Sequence, residues 1–195
     1  GTLVVDIGAG TTDLCPLYGT YPREEDQVTI GRGGDSIDED FLQRLRAAQP
    51  GVQVTADMVR DIKDRHGFVH DVNESAVVSL PVNGVPTTID VTELLKEPCR
   101  TIVPPIVEGI RQIISRTHPR FQQQLLQNII LGGGGSQLKG LDCVIESALK
   151  EYGGAKVKRV GDAVFAGAVG AASQRTAPRL SAAPRAQPAR TSLGQ

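Results

Sequence analysis

Three clusters of residues carry side chains suited to chemistry, and two of them are rich in glycine. The first is Asp6-Ile7-Gly8-Ala9-Gly10-Thr11-Thr12-Asp13. Gly8 and Gly10 let the backbone come close to a phosphate and aim its N–H groups at the anion. Asp6 closes an apolar, β-branched run and stands where a carboxylate can hold a hydrated Mg²⁺ through water. The hydroxyls of Thr11 and Thr12 can orient a water or a phosphate oxygen. A plain glycine hairpin is one alternative reading of this segment. A dinucleotide fingerprint is another, because Gly8-x-Gly10 is half of GxGxxG. That motif must open a helix, whereas Asp13–Tyr18, with Pro16 inside it, reads as strand. No GxxxxGK[ST] occurs, which excludes a P-loop.

The second cluster is Gly132-Gly133-Gly134-Gly135-Ser136, entered from the apolar run Asn128–Leu131. Consecutive glycines are entropically costly to order. They make sense where a flat ligand lies against bare backbone, and a bulky side chain at Gly133 is expected to block it. A loop that only needs positive φ is the competing explanation. The third is Val59-Arg60-Asp61-Ile62-Lys63-Asp64, where Lys63 and Asp64 are placed to reach a purine or ribose edge. Taken alone, that segment also reads as a solvated helical face.

These clusters need elements to position them. Leu3–Asp6, Asp13–Tyr18 and Gln27–Ile30 read as strands joined by tight turns, a meander and not a βαβ unit. Ser36–Ala48 reads as a helix with Ile37, Phe41, Leu42 and Leu45 on one face and Asp35 or Ser36 as cap. Ala56–His66 is a second helix, capped by Thr55 and ended by Gly67. Asn83-Gly84 between two β-rich runs over 76–91 predicts a hairpin. Helical sequence follows from Thr92, interrupted by Pro98 and Pro104-Pro105, and then an amphipathic helix carries Ile106, Ile110, Ile113 and Ile114. Beyond the glycine run come a helix over Leu141–Tyr152, a strand over Lys156–Val160 and a small-residue helix over Asp162–Ala172. Residues 174–195, rich in Ala, Pro and Arg, are expected to be a disordered tail.

The bulk numbers exclude several functions. Formal net charge is −1, hydrophobic residues are 39% and charged residues 22%, so no global field invites nucleic acid or an anionic membrane. No apolar run reaches bilayer length, and no export signal opens the chain. Cys15, Cys99 and Cys143 are scattered and odd in number, which reads as reduced, buried thiols of a cytosolic protein. The chain opens directly on a strand with no initiator Met, which leads us to expect a preceding segment.

Together the motifs resemble a known family, over about residues 1–173. Asp6-Ile7-Gly8-x-Gly10-Thr11-Thr12-Asp13 is similar to the second phosphate loop of the actin, Hsp70 and sugar-kinase superfamily. Gly33-Gly34-Asp35-x-x-Asp38 resembles the bacterial actins of the MreB group. Val59–Asp64 looks like the adenosine-side helix of actin. Asn128–Ser136 with Leu138, Gly140 and Leu141 resembles the adenosine motif of bacterial actins. Asp162–Ala172 sits where the family has its second connecting helix, with Ala163 in place of the usual proline. Glu25–Thr29, Asp90–Glu93 and Leu126–Ile129 are similar to the magnetosome branch of these actins.

The resemblance implies an α/β, RNase H-like actin-fold domain: a mixed sheet with flanking helices and an inserted smaller α+β subdomain. It implies the second half of the full fold, with 1–32 and 96–173 as the inner subdomain and 33–95 as the outer one. The first phosphate loop and first connecting helix have no counterpart here. The implied cofactors are ATP or ADP with Mg²⁺. The nucleotide set is Gly8, Gly10, Thr11, Thr12, Gly34, Asp35, Lys63, Asp64, Gly132, Gly133, Gly134 and Ser136. Asp6 and Thr11 are the implied catalytic residues, and Asp6 holds the Mg²⁺ through water. The implied function is a filament-forming cytoskeletal ATPase that positions magnetosomes in the cytoplasm. Its implied partners are further copies, a full-length homologue, or magnetosome-associated adaptors, with no nucleic acid and no direct membrane insertion. The half alone is expected to be inactive as an ATPase. The alternative is a non-polymerising actin-fold adaptor of the FtsA or PilM kind.

Overall fold

The structure is a computed structural model that describes residues 1–18, 26–70 and 75–161. The helix expected at Asp162–Ala172 and the tail at 174–195 lie outside the described residues. Strands β1 (Thr2–Ile7), β2 (Thr12–Leu17) and β3 (Val28–Ile30) form the antiparallel meander expected from their β-branched runs. Strands β6 (Ile129–Gly132) and β7 (Val157–Arg159) add in parallel on the other side of β1, which gives the order β3-β2-β1-β6-β7. A separate hairpin, β4 (Val77–Val82) and β5 (Val85–Asp90), turns at Asn83-Gly84. Both turn residues have positive φ, 49° and 81°, as a two-residue loop between twisted strands demands.

Central strand β1 alternates strictly. Leu3, Val5 and Ile7 are fully buried, whereas Asp6 on the other face is exposed. Helices α4 (Val103–Arg116) and α5 (Pro119–Leu126) pack on this sheet. Gly109 lets α4 approach Leu14 closely, since a Cβ there would lie 3.1 Å from it. Helices α1 (Gly34–Ala48), α2 (Ala56–His66) and α3 (Thr92–Arg100) cluster with the hairpin. Both groups share one continuous apolar core. Helix α6 (Leu141–Ala148) follows the glycine run.

Several elements differ from expectation, each for a physical reason. Pro98 does not interrupt α3: it sits near the C-terminal end, where one backbone bond is lost but Leu95, Pro98 and Cys99 are all buried. Pro104 and Pro105 fall in the first turn of α4, whose N–H groups lack intrahelical partners anyway. α5 was not expected, because its Gln-rich sequence buries only Leu125 and Leu126; Pro119 and the His118 ring, which accepts from Arg120 N, start it. α6 stops at Ala148 and gives way to a 3₁₀ turn, Lys150–Tyr152, before Gly153 and Gly154 at φ +88°. The thiols are not uniformly buried either. Cys99 is buried and Cys15 half-buried, but Cys143 is exposed, off the Leu141–Ile145 stripe of α6.

Candidate functional site

The turn between β1 and β2 is tied at its base by Gly8 N donating to Thr11 O at 2.9 Å. Its carbonyls are taken up by α1: Gly34 N donates to Gly8 O at 3.0 Å and Asp35 N to Ala9 O at 2.8 Å. This replaces the expected side-chain cap at Asp35 or Ser36, because the helix start is Gly33 and its first amides find the turn. Gly33 is required there, since a Cβ would stand 2.5 Å from both carbonyl oxygens. Among the described residues nothing accepts from the amides of Ala9 and Gly10, and both residues are exposed. Those N–H groups are left free to donate to a bound anion.

Asp6 connects the turn to the glycine run. It is paired with Asp13 across the antiparallel ladder and with Gly132 across the parallel one. Asp6 and Asp13 therefore share one face, directly opposite each other, where like charges repel. Asp13 is partly satisfied: Thr29 Oγ1 donates to it at 2.6 Å and Thr11 Oγ1 at 3.2 Å. Asp6 is exposed and accepts no described hydrogen bond. Such a pair suits a hydrated divalent cation, and Mg²⁺ commonly binds through one or two carboxylates plus water and phosphate. Among the described residues there is no group of three or more metal-ligating side chains, so no all-protein cage is present.

The glycine run serves two purposes that the sequence does not separate. Gly133 has φ 74° and ψ 167°, a region essentially reserved for glycine. A Cβ on it would lie 2.3 Å from Ile7 O and 2.4 Å from Asp6 Oδ1. A Cβ on Gly135 would lie 2.2 Å from Ile7 Cγ2. Those two glycines are demanded by close packing on the end of β1. Gly134 is different: it is exposed, its φ is ordinary, and a Cβ would meet nothing within 4 Å. A bulky residue at Gly133 would thus disturb the fold before it met any ligand, which corrects the expectation drawn from the sequence.

On the opposite wall, α2 carries Lys63, only 8% exposed, and Asp64, exposed. Lys63 Nζ lies 3.0 Å from both carboxylate oxygens of Asp38, although only Oδ2 is aligned to accept a hydrogen bond. It also leans on Gly34 O at 3.4 Å. Burial pushes the Asp38 carboxyl above its ordinary value, against the pull of the Lys63 hydrogen bond and charge. Asp35 lies outside this pair and meets Arg60 at 3.5 Å on the surface.

A narrow cleft of about 10 Å³ brings the second and third clusters together: Gly34, Lys63, Asp64 and Gly134 line it with Ile37, Gly135, Gln137 and Leu138, whereas Asp6, Gly8, Gly10, Thr11 and Asp35 do not. Gly132 and Gly133 precede its Gly134–Gly135 edge in the chain and do not line it. Thr12 and Ser136 are not brought to it. Both are fully buried; Thr12 Oγ1 donates to Arg32 O at 2.8 Å and Ser136 Oγ to Gly133 O at 2.7 Å, so each hydroxyl is spent on holding a turn. Sequence reasoning left Asp13, Asp38 and Gln137 out of the candidate set. Asp13 and Asp38 stood inside the quoted motifs, and Gln137 directly follows Ser136, so adjacency was the available signal.

The fold recurs in solved structures. The chain is similar to a MamK double helical filament, with a TM-score of 0.85 and 36% identity over 91% of this chain and 55% of that one. It is also similar to a non-polymerising MamK mutant bound to AMPPNP, with a TM-score of 0.81 and 38% identity over 87% of this chain and 52% of that one. The described fold is therefore an α/β domain of the actin fold, as the motif order implied. The family model of the MreB/Mbl protein matches residues 1–179. The chain belongs to the MreB/Mbl family. Among curated relatives, the actin-like protein MamK of Magnetospirillum gryphiswaldense is 38% identical over 170 residues, which is 87% of this chain and 47% of the relative. The chain spans about half the length of the curated relatives it matches.

Proposed function

We propose that this chain supplies one wall of an adenine-nucleotide site in a filament-forming, actin-like cytoskeletal protein of the MamK kind. One observation carries the reading. Three segments distant in sequence, at Gly34, Lys63–Asp64 and Gly134, converge on one cleft, while Asp6 lies against Gly133, the residue before Gly134. In this reading the chain is the second half of the fold, with 1–32 and 96–173 as inner subdomain and 33–95 as outer subdomain. The relatives support the polymer and the nucleotide, since one is a double helical filament and another holds AMPPNP. The setting is the bacterial cytoplasm, and magnetosome positioning follows by likeness to MamK. Among the described residues no helix is long and apolar enough to cross a membrane.

Each residue has a task in this scheme. The Ala9 and Gly10 amides bind a phosphate oxygen, and Gly134 offers bare backbone to the flat face of the base. Asp6, with Asp13 beside it, would hold Mg²⁺ through water. The ion supplies charge neutralisation on the phosphates when bound. Thr11, whose hydroxyl donates to Asp13, would turn that hydroxyl or its lone pairs toward the attacking water. Such groups act mainly as charge develops in the transition state. The test is a ¹⁵N NMR titration of the chain with Mg-ATP, which reads weak binding. Shifts at Ala9, Gly10, Lys63 and Gly134 are expected. Shifts elsewhere alone, or none at millimolar ATP, refute the reading.

A further inference from the structure

Lys63 is an unusual residue, because its side chain is nearly buried yet lines a cleft. A lysine head group is strongly hydrated on a flexible stem, and it turns to solvent unless held. Three features hold this one. Asp38 stands 3.0 Å away, the carbonyl of Gly34 lies at 3.4 Å, and the missing side chain of Gly34 leaves room, since a Cβ there would lie 3.0 Å from Nζ. Asp64, the other nearby carboxylate, is 3.9 Å away and 62% exposed, too distant and too solvated to do the same. Asp38 is steadied in turn by Arg60, whose Nε lies 3.7 Å from it while its guanidinium also reaches Asp35.

We propose that Asp38 is a positioning residue for the cleft: it fixes Lys63 so that one N–H faces an acceptor on the sugar or base edge of a bound nucleotide. An ammonium has three donors. Asp38 Oδ2 takes one and Gly34 O takes another over a long bond, which leaves the third for the cleft. Without the carboxylate, the ammonium is drawn toward Asp64 and water, and the donor leaves the site. The proposal rests on the nucleotide reading above. It adds a residue that touches no ligand and acts through one that does.

A mutant cycle on binding tests it, with Mg-ATP and inorganic tripolyphosphate as probes, followed by NMR titration of the chain. Lys63→Met is expected to weaken ATP binding about ten-fold, the effect of one hydrogen bond to a charged group. Tripolyphosphate, with no sugar or base, should be unaffected. Asp38→Asn should reproduce most of the ATP loss with Lys63 present and add nothing in the Lys63→Met background. The double variant also removes both buried charges, so it folds where a single one leaves an unpaired ion. Equal ATP losses from Asp38→Asn in both backgrounds, or no loss in either, overturn the proposal while leaving the nucleotide site intact. Failure of the unaltered chain to bind ATP at all removes the site and the proposal together.

Discussion

Adding one methyl group at adjacent glycines separates the fold's needs from the ligand's. At Gly133 an alanine must occupy φ 74° and ψ 167°, which is strained by about 1–3 kcal/mol for a residue with a Cβ. Its Cβ would also meet the Ile7 carbonyl oxygen at 2.3 Å, and a strand backbone cannot retreat, which adds about 1–3 kcal/mol of overpacking. Together these amount to about 2–6 kcal/mol, a large share of the roughly 5–15 kcal/mol that holds a domain together. In a domain of this size the thermal midpoint should fall by roughly 10 °C. At Gly134 nothing stands within 4 Å and φ is ordinary, so alanine should raise stability by about 0.4–1 kcal/mol through the unfolded chain. Yet Gly134→Ala places a methyl group on the cleft surface, and nucleotide affinity should fall at least about ten-fold, by the tenfold-per-1.4 kcal/mol relation. The assays are urea denaturation and an ATP titration on each variant. An unchanged midpoint for Gly133→Ala refutes the packing argument. Unaltered ATP affinity for Gly134→Ala refutes the assignment of that residue to the ligand.

Further expectations concern the acid groups, the thiols and the isolated chain. In a complete protein, Asp6→Ala should lower ATP turnover by at least about 10²-fold with a nearly unchanged melting midpoint, because Asp6 accepts no described hydrogen bond within the fold; a large stability loss with normal turnover would contradict this. Asp90 accepts from the Thr92 hydroxyl and amide, which holds its carboxyl below the ordinary carboxylate range. A depressed value in the folded state stabilises above the unfolded value and is lost as pH falls. Asp90→Ala should therefore lower the melting midpoint at neutral pH, with the difference shrinking below about pH 4; a difference constant with pH argues against it. Maleimide should label exposed Cys143 promptly and spare Cys99, whose thiol burial pushes up to about 12, until the protein unfolds; equal labelling under native conditions would show that α3 opens readily. If the chain supplies one wall of the site, as proposed, phosphate release and pelleting of it with Mg-ATP should show neither sustained turnover nor long filaments, since a site with one wall loses preorganisation; robust activity would refute the one-wall reading.

Local sequence carried much of the architecture. The Asn83-Gly84 turn, the bounds of α2 with its Thr55 cap and Gly67 stop, and the alternation in β1 follow from interactions within a few residues. The order of the glycine motifs sufficed for the family, because backbone approach to a ligand needs glycine at set places. The tertiary structure alone decided what each of those residues is for. Gly133 and Gly135 answer to Ile7, Gly33 answers to the carbonyls of Gly8 and Ala9, and Lys63 answers to Asp38. Thr12 and Ser136 look like ligand hydroxyls in the sequence but are sealed into turns by carbonyls. A residue type states which contacts are allowed; what lies across from it depends on sheet order and helix packing, which join segments far apart in the chain.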